Sequence, residues 1–192
     1  MKKLITAIGV SVLLSACAGG MGMKDGGMSG GMSNPMVGGA AMFPTKDIVD
    51  NAVNSKDHTT LVAAVKAAGL VDTLKGPGPF TVFAPTNAAF AALPAGTVDT
   101  LLKPENKAAL TGVLTYHVVA GKWDAAAITK MIKDGGGKAT IKTVAGGSLV
   151  ASASGSTVML TDEKGGMAHV TIPNVYQSNG VIHVVDKVLL PK

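Results

Sequence analysis

The chain has 192 residues, of which 47% are hydrophobic, 15% charged and 4% aromatic. Its 17 basic residues are all lysine, and they outnumber 12 acidic residues to give a formal charge of +5. Arginine supplies the bidentate contacts that read phosphate and guanine, so its absence argues against nucleic acid as a partner. A single cysteine leaves no intramolecular disulfide, and a folded domain must therefore depend on its hydrophobic core.

The first sixteen residues have the pattern of a secretory signal. Lys2 and Lys3 form a positive start, and an apolar run over residues 4–14 follows. The run is too short to remain as a spanning helix, because crossing a bilayer takes about twenty apolar residues. We therefore expect residues 1–16 to be a signal peptide that is removed.

The residues around the single cysteine refine this expectation. Leu14-Ser15-Ala16-Cys17 resembles the lipobox of bacterial lipoproteins. The resemblance implies cleavage before Cys17 and a diacylglycerol on its sulfur, so the membrane is an expected partner through that lipid. The predicted localisation is the bacterial cell envelope, and Ala18 in place of Asp favours the outer membrane in a host that has one.

Residues 18–44 are dominated by Gly, Met, Ser and Ala and show no helical or strand period. Together with Cys17 they are predicted to form a flexible tether between the lipid and a folded domain. The methionines in this stretch are Met21, Met23, Met28, Met32, Met36 and Met42. Because thioethers select Cu(I), a copper(I)-binding or metal-handling lipoprotein is the alternative hypothesis, although the irregular spacing does not support it and no cofactor is expected.

The composition and the pattern of apolar residues change at Thr45. Apolar residues at helical spacing predict helices over residues 58–68, 88–93, 98–102, 104–114 and 124–132. Alternating and glycine-bounded apolar runs predict strands over residues 80–83, 115–119, 138–144, 148–153, 157–161, 168–172 and 181–190. Asn179-Gly180 is predicted to form a tight turn with positive φ angles. Helices followed by strands predict one α+β domain over residues 45–192 with an antiparallel sheet.

Three segments of this domain resemble, in order, the conserved blocks of the fasciclin (FAS1) family. The segments are Phe80-Thr81-Val82-Phe83-Ala84-Pro85-Thr86-Asn87-Ala88-Ala89-Phe90, Leu114-Thr115-Tyr116-His117-Val118-Val119 and Asn179-Gly180-Val181-Ile182-His183-Val184-Val185-Asp186-Lys187-Val188-Leu189-Leu190-Pro191. The resemblance implies a FAS1-like wedge of two antiparallel β-sheets with helices packed around one side. It also implies a surface or matrix adhesion module with no known reaction or cofactor.

The same resemblance suggests a binding patch. In animal relatives the Tyr-His region is implicated in integrin contact, which makes Tyr116 and His117 the candidate adhesion residues here. From the residues alone, the competing interpretation of Tyr116 is a core position whose hydroxyl reaches a partner.

Other motif residues have roles in making the fold. Pro85 can end its strand by withholding an N–H, and Thr86 can cap the next helix. Aromatic rings of the first block can bury large apolar areas, and His183 has apolar neighbours along its own face of the last strand. The residues to which we assign fold-defining roles are Phe83, Pro85, Thr86, Phe90, Asn179, Gly180, His183 and Asp186.

The alternatives to adhesion are weaker but remain open. His117, His169 and His183 lie in predicted strands and could converge on a metal, yet their spacing carries no familiar ligand motif. The partner is expected to be an unidentified surface or matrix protein or polysaccharide, and self-association stays possible. Trp123 is either an anchor for the following helix or an exposed contact residue. A small apolar ligand between sheet and helices is a third possibility.

Overall fold

The computed structural model describes residues 34–192, and it combines short helices with a twisted mixed sheet. The helices are α1 (Ile48–Ala52), α2 (Thr59–Ala68), α3 (Val71–Lys75), α4 (Asn87–Ala91), α5 (Thr97–Leu102), α6 (Lys107–Tyr116) and α7 (Ala125–Asp134), with 3-10 turns at Lys56–His58 and Pro104–Asn106. The strands are β1 (Met36–Val37), β2 (Ala40–Ala41), β3 (Phe80–Pro85), β4 (Val118–Ala120), β5 (Lys138–Lys142), β6 (Ser148–Ser154), β7 (Thr157–Thr161), β8 (Met167–Gln177) and β9 (Gly180–Val185). The predicted α+β class is confirmed.

The strand order of the main sheet is β4-β3-β9-β8-β7-β6-β5. Strand β8 pairs with β7 near its start and with β9 along the rest of its length, and its register shifts at two irregularities, so it joins two half-sheets. Strands β3 and β9 pair in parallel, where the sequence predicts antiparallel pairing. The long connection between them allows either direction, and a period-two pattern is the same in both.

Two hydrophobic cores lie on opposite faces of β9. Ile182 and Val184 belong to the core shared with helices α1 to α6, whereas Val185 belongs to the core shared with α7 and strands β5 to β8. The alternation along β9 is the one that the sequence predicts. Within residues 34–192, no helix combines the length and the apolar composition needed to cross a bilayer.

Residues 34–44 differ from the tether predicted for residues 18–44. Strands β1 and β2 form a small hairpin, and Val37 and Met42 are each only 2% exposed in the core beneath the helices. Asn51 holds the segment in place, because its amide accepts from the backbone N–H of Phe43 at 3.0 Å and donates to the Phe43 carbonyl at 2.8 Å. The prediction of a flexible tether is therefore wrong for residues 34–44. The sequence gives no sign of this, because two isolated apolar side chains among glycines produce no periodic pattern.

The segment Thr115-Tyr116-His117-Val118-Val119 is also assigned wrongly by the sequence pattern. Helix α6 continues through Tyr116, and the strand begins only at Val118. The β-branched and aromatic residues favour a strand locally, but Leu110, Val113 and Leu114 are buried in the core beneath the helices, and the Tyr116 ring is buried in the core beneath α7. Tertiary packing therefore overrides local propensity at this point.

Candidate binding surface

Tyr116 is a core residue with a satisfied hydroxyl. Its side chain is 0% exposed, and the hydroxyl donates to the Ser148 carbonyl at 2.7 Å and accepts from the Glu163 N–H at 3.2 Å. The Glu163 carboxylate accepts from the Ser148 N–H at 3.0 Å, which closes the network. Burial raises the pKa of the Tyr116 hydroxyl. A Cβ at Gly147 would approach the ring to 2.6 Å, so glycine is required there.

His117 is equally inaccessible, with 2% exposure. Its Nδ1 lies 2.8 Å from the Val113 carbonyl, and its Nε2 accepts from the Leu189 N–H at 2.9 Å. This pair of bonds requires the neutral ring, with the proton on Nδ1. Burial lowers the pKa of His117 to about 4, against a smaller opposite effect of the Val113 carbonyl. The adhesion patch predicted at Tyr116 and His117 is therefore wrong as a surface that a partner could touch.

His183 and Phe83 form a second buried unit. Their rings stack with centroids 5.7 Å apart, and His183 Nε2 donates to the Trp123 carbonyl across 2.7 Å. Burial lowers the pKa of His183, and the Trp123 carbonyl partly opposes that effect. Trp123 is itself partly buried against the core beneath α7, so the anchor interpretation of its ring is the one that the structure supports.

The histidines do not converge on a metal. His58 is buried with Nδ1 2.9 Å from the Ser55 hydroxyl, and burial lowers its pKa. His169 lies at the surface, where Asp186 accepts from its backbone N–H at 2.7 Å and contacts its Nδ1 at 3.1 Å. Across residues 34–192, no group of three or more His, Cys, Asp or Glu side chains is arranged to hold a metal ion.

The first motif block makes the junction between β3 and α4. Pro85 is the last residue of β3, and the Thr86 hydroxyl accepts from the Ala89 N–H to cap α4. Phe90 is buried against the helical core. These fold-making roles agree with those predicted from the sequence.

Asn179 and Gly180 have different roles from those predicted. Neither has a positive φ, and the turn between β8 and β9 is formed by residues 178–179. The Asn179 side chain accepts from the Ile48 N–H at 3.1 Å and donates to the Leu74 carbonyl at 2.7 Å, so it ties two helices to the turn. A Cβ at Gly180 would collide with the Phe80 carbonyl, and that close approach explains the glycine.

Beside this turn lies an open surface, and Asn179 and Gly180 are the motif residues that line it. A groove of about 350 Å³ is lined by residues 77–79, Lys122 and residues 177–180. We call it the turn groove. The Lys122 ammonium stands 4.8 Å from the ring centroid of Tyr176, which is 39% exposed. A second pair lies next to the same turn, with the Lys46 ammonium 5.2 Å from the Phe43 ring.

Two further predictions concern residues near the N-terminus. Cys17 and the methionines Met21, Met23, Met28 and Met32 lie outside the described residues. Met36 is exposed, but Met42 is buried in the helical core. A copper site using all six thioethers would therefore have to extract Met42 from the folded domain.

An apolar cavity does lie between the sheet and the helices, where the sequence allowed a small ligand. It is lined by residues of α1, α2, α3, α6 and β3, and its volume is about 40 Å³. Ligand pockets usually measure about 300–1,000 Å³. The cavity as it stands is too small for such a ligand.

The family model described as the fasciclin domain matches residues 56–191 of this chain. The chain belongs to the fasciclin family. Protein sll1483 from Synechocystis is 47% identical over 156 residues, covering 81% of this chain and 79% of that protein. The cell surface glycolipoprotein MPB83 from Mycobacterium bovis is 33% identical over 166 residues, covering 86% of this chain and 64% of that protein.

The fold also matches a solved fasciclin structure. A FAS1 domain pair from the insect cell adhesion molecule fasciclin I superposes with a TM-score of 0.68 at 17% sequence identity. The match covers 77% of this chain and 51% of that chain, so this chain spans about half of the solved domain pair. The FAS1-like fold predicted from the three segments is confirmed.

Sequence reasoning located the fasciclin domain but not its accessible surface. The motif residues stand out because the fold needs them, and for that reason most of them are buried. Lys122 and Tyr176 are far apart in the sequence, and only the pairing of β8 with β9 and the path of the chain after β4 bring them together. The one local signal was Lys122 beside Gly121 and Trp123.

Proposed function

We propose that this chain is a lipid-anchored fasciclin-domain protein of the bacterial cell envelope that acts by binding a surface or matrix component. The observation that carries the proposal is the similarity to MPB83, a cell surface glycolipoprotein aligned over 86% of this chain. As its name says, that protein combines a surface location with a lipid. The lipobox-like Leu14-Ser15-Ala16-Cys17 gives this chain a residue on which such a lipid would sit.

Binding, rather than catalysis, is the activity that the geometry supports best. The polar atoms of Tyr116 and His117 are committed to hydrogen bonds within the fold. His183 likewise holds the Trp123 carbonyl. Such groups stabilise the domain and have no lone pair or proton directed at a cleft, whereas the exposed lysines and aromatic rings can contact a partner.

The anchor is tested by replacing Cys17 with Ser in the full-length chain expressed in its own host. We expect the unchanged chain in the membrane fraction and the C17S chain in the soluble exported fraction, with a diacylglycerol mass on the N-terminal cysteine of the former. Ser33→Ala, outside the lipobox, is the matched control. An unchanged membrane association of C17S would contradict a lipid anchor, and the inner or outer membrane is assigned by density separation.

Adhesion is tested with the purified C17S chain, which contains the whole domain without the lipid. We expect saturable retention on intact producing cells or on their extracellular matrix. Variants of Tyr116 or His117 are unsuitable for this experiment because both residues are buried, so their replacement would lower the stability of the domain without removing an accessible contact. Absence of retention by the folded chain would overturn adhesion to the producer's own surface.

A further inference from the structure

The turn groove has walls that are fixed by backbone hydrogen bonds. The Phe80 N–H donates to the Asn179 carbonyl at 3.0 Å, and the Gly121 N–H donates to the Pro79 carbonyl at 2.9 Å. The segment 77–79 is thereby tied both to the β8–β9 turn and to the residue before Lys122. A groove that is already formed binds without the loss of conformational entropy that a flexible loop would incur.

Two lysines beside the groove have no carboxylate among the described residues in contact with their ammonium groups. Within residues 34–192, neither Lys46 nor Lys122 forms an ion pair. The acidic residues beside these lysines have other partners. Asp47 caps α1 and lies 3.7 Å from Lys75, and Asp124 caps α7 by accepting from a backbone N–H. In the part of the chain that the structure describes, no carboxylate holds either ammonium group in an ion pair, so both can contact an external anion.

The aromatic rings define the second property of this surface. Tyr176 is 39% exposed and Phe43 is 41% exposed, and each carries a lysine ammonium within about 5 Å of its ring centroid. A flat ring face packs against the C–H face of a sugar, and the adjacent ammonium reaches a carboxylate on the same sugar. Ser178 is exposed and offers a hydroxyl. It lies between the two lysine–ring pairs, because it follows Tyr176 by two residues and its N–H donates to the Lys46 carbonyl.

We propose that the turn groove, with Tyr176 and Lys122, binds a uronic-acid residue of an acidic polysaccharide. The inference rests on the proposed binding function and names the ligand class for it. The second pair, Phe43 and Lys46, lies beside the same turn because the Ser178 N–H donates to the Lys46 carbonyl at 2.9 Å. A polymer that continues past the groove meets this second pair, so a chain of acidic sugars binds more tightly than a single sugar.

The geometry favours this ligand over an acidic peptide or an anionic membrane. At the groove, Gly180 of β9 lies between its partners Phe80 and Gln177, so β9 offers no free edge to which a peptide strand could add. A membrane-binding basic surface usually carries a cluster of about four to eight basic residues. The lysines that the structure places over the two exposed rings at this turn are Lys46 and Lys122.

The test measures binding of the full-length C17S chain to alginate, a polyuronate, by isothermal titration calorimetry at low ionic strength. Lys122→Gln and Tyr176→Leu are each expected to weaken the affinity about tenfold, from loss of the ammonium or of the ring. Tyr176→Phe keeps the ring, and Lys133→Gln removes an equal charge from the exposed face of α7. Both controls are expected to stay within about twofold of the unchanged chain.

Three further probes make the outcome decisive. Neutral dextran, poly-L-glutamate and phosphatidylcholine vesicles with added phosphatidylglycerol are expected to bind weakly and without sensitivity to K122Q. Equal binding of any of them, or alginate binding insensitive to both groove variants, overturns the proposal. Retention on cells without alginate binding overturns the ligand class alone, whereas alginate binding without retention on cells overturns adhesion to the producer alone.

Discussion

At the scale of single residues, the buried neutral histidines make the stability of the domain depend on pH. His117 is buried with both ring nitrogens bonded, and its pKa lies at about 4 in the folded state against 6.5 in an unfolded chain. The unfolded state therefore binds more protons below pH 6.5. The stabilisation is complete above pH 6.5 and is lost as the pH falls towards 4, and the difference corresponds to about 3 kcal/mol.

We expect the free energy of unfolding by urea to fall steeply between pH 6.5 and pH 4.5. Burial lowers the pKa of His58 and His183 as well, so they add to the same slope. His117→Gln lowers the stability at neutral pH and makes the slope shallower. Lys133→Gln, at an exposed position on α7, is the matched control and leaves the slope in place. A free energy of unfolding that stays constant over this range would contradict a buried neutral His117.

At the scale of elements, the hairpin of β1 and β2 is part of the domain because Asn51 fixes it. The Asn51 amide holds both backbone groups of Phe43 and also donates to the Gln177 side chain. Asn51→Ala leaves these groups without partners in a buried site, and we expect a loss of about 2–3 kcal/mol in the free energy of unfolding. Chemical denaturation followed by tryptophan fluorescence measures it.

The control for this variant is Asn54→Ala. Its side chain donates to the Asp50 carbonyl at the surface, so we expect a change within about 0.5 kcal/mol. Limited proteolysis provides a second readout, since N51A should expose residues 34–44 to cleavage while the rest of the domain resists. Equal stability and equal protection in the two variants would show that the segment does not depend on Asn51.

Elements with strong periodicity could be predicted, and elements that depend on distant contacts could not. The β5 to β9 region alternates, and β5, β6 and β7 were located within two residues, whereas β8 ends five residues later and β9 five residues earlier than predicted. The end of α6 was predicted as strand because residues 115–119 favour β structure locally. In the structure the helix continues through Tyr116, whose ring is buried. The hairpin before Phe43 was missed because it also depends on distant contacts. The glycine-rich segment is held by Asn51, which hydrogen-bonds to Phe43 and Gln177.

At the scale of the whole molecule, motif recognition identified the family and gave the wrong surface. A residue that stabilises the domain from within its core belongs to the motif whether or not it contacts a partner, and Tyr116 and His117 are residues of this kind. Lys122 and Tyr176 form their pair only in the folded state, and nothing in the sequence near either one indicates the other. The fold was accessible from the sequence because it depends on many residues, whereas the groove depends on a few tertiary contacts.

The two ends of the main sheet determine whether the whole domain associates with itself. The two end strands are β4 and β5, and they meet just after β5, where the Val144 N–H donates to the Val118 carbonyl at 2.8 Å. Strand β5 otherwise lies at the end of the strand order, and Lys138 and Lys142 point outward from it. Lysines on an edge strand oppose pairing with another copy.

We therefore expect the C17S chain to sediment as a monomer, and the double variant Lys138→Val, Lys142→Val to form dimers and larger species at the same concentration. Lys130→Val, Lys133→Val on α7 removes the same charge from a helix and should remain monomeric; association of this control to the same extent would mean that charge loss, and not the strand edge, is responsible.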